Sequence, residues 1–172
     1  MTAGFWQRID QAGRNVAPFA IAVLLMLVGM VPIRLPGWGP VAPQLVLMAL
    51  FYWAIHRPDL LRPSLAFALG VLQDLLSGMP VGLSALVYVL VYWVVLSQRR
   101  FFLAGSFAML WLGFLLIAAG AALVYWLGVS ALGLTLVSPA PAAAQAALTV
   151  ALFPVFAWLF MRVHRAFLQE GG

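Results

Sequence analysis

The chain has 172 residues, 66% hydrophobic and 8% charged, with nine basic and four acidic side chains, a formal net charge of +5 and a mean hydropathy of +1.09. A water-soluble domain is excluded, because the charge-free run from Phe101 to Met161 would leave too little polar surface to face water. The lack of cysteine likewise excludes disulfides, thiolate nucleophiles and Cys-ligated metals. The basic balance would suggest nucleic acid in a soluble domain, but in a membrane chain it reads as topology.

In chain order, residues 1–15 form a cytoplasmic segment that is either a frayed terminus or an interfacial helix with Phe5, Trp6 and Ile9 on the membrane surface and Arg8 and Arg14 towards head groups. The apolar stretch that follows runs into Met30-Val-Pro-Ile-Arg34 without a small-x-small cleavage site, which reads as a retained signal anchor. A bilayer crossing takes roughly 20 apolar residues. Breaking the chain at charges, proline and glycine predicts six helices, at about 16–33, 38–55, 64–78, 83–96, 101–127 and 142–161, the last kinked at Pro154. A cytoplasmic tail, 162–172, completes one integral membrane domain over residues 1–172. The expected fold class is all-α, a polytopic bundle of six transmembrane helices.

The arginines orient this map. Arg8 and Arg14 precede helix one, Arg57 and Arg62 separate helices two and three, Arg99 and Arg100 separate four and five, and Arg162 and Arg165 follow helix six. Those eight fall on one side and Arg34 alone on the other, so both termini are expected in the cytoplasm. Tyr52, Trp53, Tyr92, Trp93 and Trp158 fall near inner ends and Trp38, Tyr125 and Trp126 near outer ends, as an interfacial belt requires; Trp111 falls mid-helix and does not fit.

Helix three carries Asp74, the one carboxylate inside an apolar segment. An ionisable group in hydrocarbon costs roughly 2.5–3.5 kcal/mol on insertion scales, so it needs a partner, a cavity or a membrane edge. Ala66, Gly70, Gln73, Asp74 and Ser77 share one helical face, small and polar, which marks a packed surface in a membrane. Two readings follow: Asp74 holds the loop Gly78–Gly82 or bonds a partner helix, or it accepts hydrogen bonds from backbone or hydroxyl groups of its own bundle. The turn before this helix, Ile55-His-Arg-Pro-Asp-Leu-Leu-Arg-Pro-Ser64, has Asp59 placed to pair with Arg57 or Arg62 and Ser64 placed to cap helix three. It serves as a solvated topological turn or as a docking or head-group site. His56 reads as interfacial rather than metal-ligating.

Catalysis fails by inventory. Asp10, Asp59 and Glu170 are expected in the cytoplasm and Asp74 near the outer face; Asp59 and Asp74, roughly 20 Å apart on a continuous helix, cannot share a proton as an aspartyl protease requires, and a transferase would want a metal-binding acid cluster. No catalytic, cofactor or metal residue is assigned. The small-residue stretch Ala118-Ala-Gly-Ala-Ala122 could pack inside the bundle or dock a partner helix.

The stretch Tyr52-Trp-Ala-Ile-His-Arg-Pro-Asp59, followed by Ala66-Phe-Ala-Leu-Gly70-Val-Leu-Gln-Asp74-Leu-Leu-Ser-Gly78-Met-Pro-Val-Gly82, resembles the rod shape-determining protein MreD family in its alphaproteobacterial form. The resemblance implies a non-catalytic inner-membrane scaffold of the cell-elongation machinery. Its partners would be the bitopic protein MreC and, indirectly, the MreB filament, the glycan polymerase RodA and a class B transpeptidase, for lateral peptidoglycan synthesis. Under it the motif positions are Arg57, Pro58, Asp59, Gly70, Asp74, Gly78 and Gly82, expected to shape helices two to four for partner binding. Pairing with a second copy stays open. The helix count is also similar to that of substrate-binding subunits of energy-coupling-factor vitamin transporters, which suggests a shared fold and supplies the alternative function. The outer segments weigh against that alternative, offering Arg34, Ser130, Thr135, Ser138 and little else to a polar ligand.

Overall fold

A computed structural model describes residues 17–31, 42–134 and 137–168, with side chains to residue 163. The described residues form six α-helices: α1 (Ala17–Gly29), α2 (Leu45–His56), α3 (Pro63–Ser77), α4 (Leu83–Ala104), α5 (Phe107–Leu132) and α6 (Ala140–Leu168). No strand occurs among them. The N-terminal segment 1–15, Arg34, Trp38, Thr135 and Glu170 lie outside the described residues, as do the side chains of His164 and Arg165.

Each boundary has a local cause. α2 starts at Leu45 rather than near residue 38, because Pro43 disfavours the helical region for Ala42. Pro63 occupies the first turn of α3, where its missing N–H costs nothing, and the N-cap is therefore Arg62. The expected cap from Ser64 is not made; Ser64 already lies inside the helix. Gly78 ends α3 at φ +68°, a left-handed conformation that glycine adopts without strain. The break expected at Arg99-Arg100 is absent, since charge does not break a helix: α4 runs through both to Ala104, Gly105 takes an extended conformation, and α5 begins after Ser106.

By length and composition α4, α5 and the Ala140–Val163 part of α6 can cross a bilayer, whereas α1, α2 and α3 are shorter. α2 has 12 residues, roughly 18 Å of helix, and every residue from Leu45 to Ile55 is buried. The other helices wrap it. Tyr52 and Trp53, expected at the membrane interface, are instead core residues at 2% and 0% exposure. At its centre Phe51 meets Phe102 of α4, Phe114 of α5 and Phe153 of α6 edge-on at centroid distances of 5.5, 5.1 and 5.5 Å, and Phe114 and Phe153 stack at 4.1 Å. Such pairs add about 0.5–1.5 kcal/mol each beyond the area they bury. One hub thus ties four helices.

The helices alternate in direction. The carboxyl ends of α1, α3 and α5 and the amino ends of α2, α4 and α6 surround a common space, lined by Gly29, Leu45, Ser77, Ser84, Val129 and Ala142 among others. At the opposite end, Arg99 of α4 donates from Nε to the Ile55 carbonyl at 2.6 Å and Tyr92 donates to the Pro58 carbonyl at 3.4 Å, tying α4 to the α2–α3 turn.

Candidate functional site

α3 and α4 pack most intimately where the sequence is smallest. A Cβ at Gly70 would lie 2.7 Å from the Ser84 carbonyl carbon and closer still to the Ala85 backbone, so only glycine lets the two helices meet there. This close approach brings Asp74, one turn further on and fully buried, against the start of α4. Gly82 N–H donates to Asp74 Oδ2 at 2.8 Å, and Ser84 N–H lies 3.0 and 3.1 Å from Oδ1 and Oδ2.

An α-helix begins with N–H groups that have no partner within it, and a carboxylate there also meets the positive end of the helix dipole. α4 receives no side-chain cap from its own N-cap residue, Gly82. Asp74 supplies one from the preceding helix. Gly82 stands at φ +104° and Gly78 at φ +68°, so the connection folds back tightly enough to place those amides over α3. Four motif positions, Gly70, Asp74, Gly78 and Gly82, therefore form one lock that closes the α3–α4 hairpin. Both readings of Asp74 meet in this geometry: it holds the loop, and it does so by accepting backbone hydrogen bonds within its own bundle.

The other three motif positions stand in the turn that precedes α3, and Asp74 lies 11 residues along that helix from Pro63, roughly 17 Å at 1.5 Å per residue. Arg57 Nε lies 3.3 Å from both Asp59 carboxylate oxygens, and Nη2 lies 3.1 Å from Oδ2. This fork holds the Asp59 carboxyl below the ordinary carboxylate range, the Arg57 hydrogen bond being the largest cause. With Asp59 60% exposed, the pair is a surface interaction. Pro58 presents its carbonyl to Tyr92, and His56 stacks on Tyr52 at 4.2 Å with Nδ1 2.9 Å from the Tyr52 carbonyl. No group of three or more potential metal ligands occurs among the described residues.

Three features lay beyond sequence reasoning. Arg99, expected in a loop, instead reaches the carboxyl end of α2, where a cation is favoured by the helix dipole. Trp111, the aromatic that did not fit the belt, donates from Nε1 to the Val150 carbonyl at 3.0 Å. Gln44 and Gln145, 101 residues apart, join side chain to side chain at 3.2 Å; Gln145 also donates to the Ala42 carbonyl at 2.7 Å, and Gln44 N–H to Thr149 Oγ1 at 3.0 Å. Isolated glutamines in apolar runs were the available signal, since membrane helices use such groups to bind one another. The alanine stretch divides: Ala118 and Ala121 pack in the core, while Ala119 and Gly120 face outward.

Between the helix ends on the Asp74 side lies a cavity of about 760 Å³ to which all six helices contribute. Its polar groups come from helix ends more than from loops: Gln73, Ser84, Tyr88, Tyr125 and the Gln44–Gln145 pair, with Ser138 from the segment before α6. Ser84, Tyr88 and Tyr125 bring three hydroxyls to the same wall.

The family model of rod shape-determining protein MreD matches residues 12–163, which includes the described helices almost entire. The chain belongs to the MreD family. It is a membrane protein of the rod-shape class, and MreD-family membership makes it a shape-determining structural protein rather than a member of a known enzyme family. Neither a curated protein nor a solved structure matches the chain.

Proposed function

We propose that this MreD-family chain is a non-catalytic scaffold of the cell-elongation complex in the bacterial inner membrane. It binds MreC and, through that contact, helps direct lateral peptidoglycan synthesis by RodA and its class B transpeptidase partner along the MreB filament. The match to the family over residues 12–163 carries this reading. In it all six helices lie within the bilayer, the shorter ones sheltered by the longer, with both termini cytoplasmic. The described arginines support that orientation: Arg57, Arg62, Arg99, Arg100 and Arg162 all stand at the end of the bundle opposite Asp74.

The scaffold works through shape. Short connections leave little surface outside the bilayer, so partners meet helix faces, and the Gly70–Asp74–Gly82 lock sets the angle at which α3 and α4 present theirs. The seven motif positions act by holding this hairpin and the Arg57–Asp59 turn in one conformation.

Affinity purification of the tagged full chain from its native membrane in mild detergent, with mass spectrometry of the co-purifying proteins, tests the proposal. Recovery of MreC with the polymerase pair, diminished by Asp74→Ala at equal membrane level, is the expected result. The cavity favours a second reading, a vitamin-binding transporter subunit, and recovery of an ATPase pair with a coupling subunit in place of MreC would establish it.

A further inference from the structure

The arginines at the end opposite Asp74 share that end but not a level. The Tyr92–Pro58 bond sets the α2–α3 turn, and with it Arg62, beside the middle of α4. Arg100 stands about two turns further along α4, after the exposed Ser97 and Gln98. Arg162 stands lower again. The Phe102 ring rests on Gly113, Phe114 stacks on Phe153, and Arg162 follows roughly 13 Å further along α6, over the Trp158 ring. At the Asp74 end the helices finish nearly together, since Gly128 in the last turns of α5 touches Leu83, the first residue of α4.

The apolar length of the bundle therefore differs from face to face. α3 has 15 residues between the Arg62 turn and Gly78, roughly 22 Å, and the apolar part of α4 from Leu83 to Leu96 is roughly 21 Å. α5 has 26 residues, roughly 39 Å, and its sequence contains no charge at all. Against a hydrocarbon core of about 30 Å, one face falls short and the other exceeds it. Tilting the bundle lowers one end of a face as it raises the other, so it leaves this difference in place. Nor does Arg100 let α4 sink deeper, because side chains lean towards a helix's amino end, here the Asp74 end. We propose that this chain thins the bilayer along the α3–α4 face, drawing the head groups of the arginine-side leaflet towards the midplane, while the α5–α6 face meets hydrocarbon of full depth. The partner is phospholipid with short or splayed chains, lying against the exposed Phe67, Leu72, Leu86 and Leu90. The inference rests on α3, α4 and α5 lying in the bilayer and is independent of any protein partner.

The chain has no cysteine, so each single-cysteine variant carries one nitroxide. In dioleoylphosphatidylcholine vesicles, collision with oxygen against collision with a water-soluble nickel chelate reads depth for Ser97→Cys, Met109→Cys, Val81→Cys, Leu132→Cys and Leu116→Cys, all exposed positions. Met109 touches Gly105 and so lies further from the middle of the bundle than Ser97 does. Thinning nevertheless makes Ser97 the wetter of the two, nickel-accessible where Met109 is oxygen-rich, with Val81 and Leu132 alike at the other end. An oxygen-rich Ser97 means a bilayer of uniform depth and overturns the proposal, as does a nickel-accessible Met109. A rigid tilt would give an oxygen-rich Val81 with a nickel-accessible Leu132, and that result overturns it equally. A nickel-accessible Leu116, at mid-helix in α5, would instead remove the membrane placement on which the proposal stands. Water-edited solid-state NMR of the labelled wild-type chain reads the same contrast between Ser97 and Met109 without any substitution, so a misfolded variant leaves the test intact.

Discussion

Trp111 Nε1 lies 3.0 Å from the carbonyl oxygen of Val150, the one carbonyl of α6 that Pro154 deprives of its helical partner. A proline inside a helix has no N–H to offer the carbonyl four residues earlier, and that group, buried in a bundle, would otherwise be unsatisfied. The indole of α5 fills the vacancy. Pro154 and Trp111 are thus two halves of one device joining α5 to α6.

A thermodynamic cycle on these two residues should show strong coupling. Trp111→Phe keeps the ring but removes the donor and should cost about 1–3 kcal/mol of stability. In a Pro154→Ala background, where the helix regains its own bond to Val150, the same substitution should cost markedly less. Thermal denaturation of the four purified proteins in one detergent measures this, and additive effects would refute the coupling.

Replacing Asp74 separates its charge from its reach. Asp74→Ala leaves the Gly82 and Ser84 amides without an acceptor, about 1–3 kcal/mol for each buried group. Asp74→Asn retains one oxygen and should lie between Ala and wild type. Hydrogen exchange at Ser84 N–H reports the lock directly, with faster exchange in the order Ala, Asn, wild type. Membrane insertion should survive in both, while cell width and partner recovery change with Asp74→Ala; a normal rod at native expression would count against the scaffold role of this residue.

Two glycines give opposite expectations for the same change. At Gly70 an added methyl meets the Ala85 backbone, and Gly70→Ala should destabilise by about 1–3 kcal/mol through overpacking. Gly120 has nothing within 4 Å and lies in mid-helix, where Gly120→Ala should be neutral or stabilise by up to about 1 kcal/mol. A melting comparison of the two variants decides it.

Asp59 provides the pH dependence. Its carboxyl is held below its ordinary value in the folded chain, so the Arg57–Asp59 fork is fully formed above the ordinary carboxylate pKa and is lost as pH falls through the lowered one. Carbon-detected NMR of labelled aspartate should place the Asp59 midpoint below that of a model peptide, and Arg57→Gln should move it upward. At this exposure the effect on stability is small.

Hydropathy and breakers made the helical class and the helix count readable from sequence, because both depend on local composition. The small face of α3 was readable too, since Gly70 and Asp74 stand one turn apart in a segment otherwise apolar. What each of them touches was not, because Ala85, Ser84 and Gly82 come close only once the hairpin has closed. Tyr52 and Trp53 misled for a related reason: aromatic residues near a basic turn mark an interface on an outer helix, and nothing in the local sequence says that α2 is the inner one. The pairs Gln44–Gln145 and Trp111–Val150 span 101 and 39 residues, so the local sequence can mark a glutamine or a tryptophan as unusual but cannot say what it meets.

The sheathing of α2 bears on how the protein is made. At 12 residues this helix is too short to bridge a hydrocarbon layer of about 30 Å by itself, and its hub residue Phe51 waits for Phe114 and Phe153, which are synthesised some sixty and a hundred residues later. The aromatic hub is therefore completed only when α5 and α6 have been made, and the packing around α2 is the last part of the bundle to close.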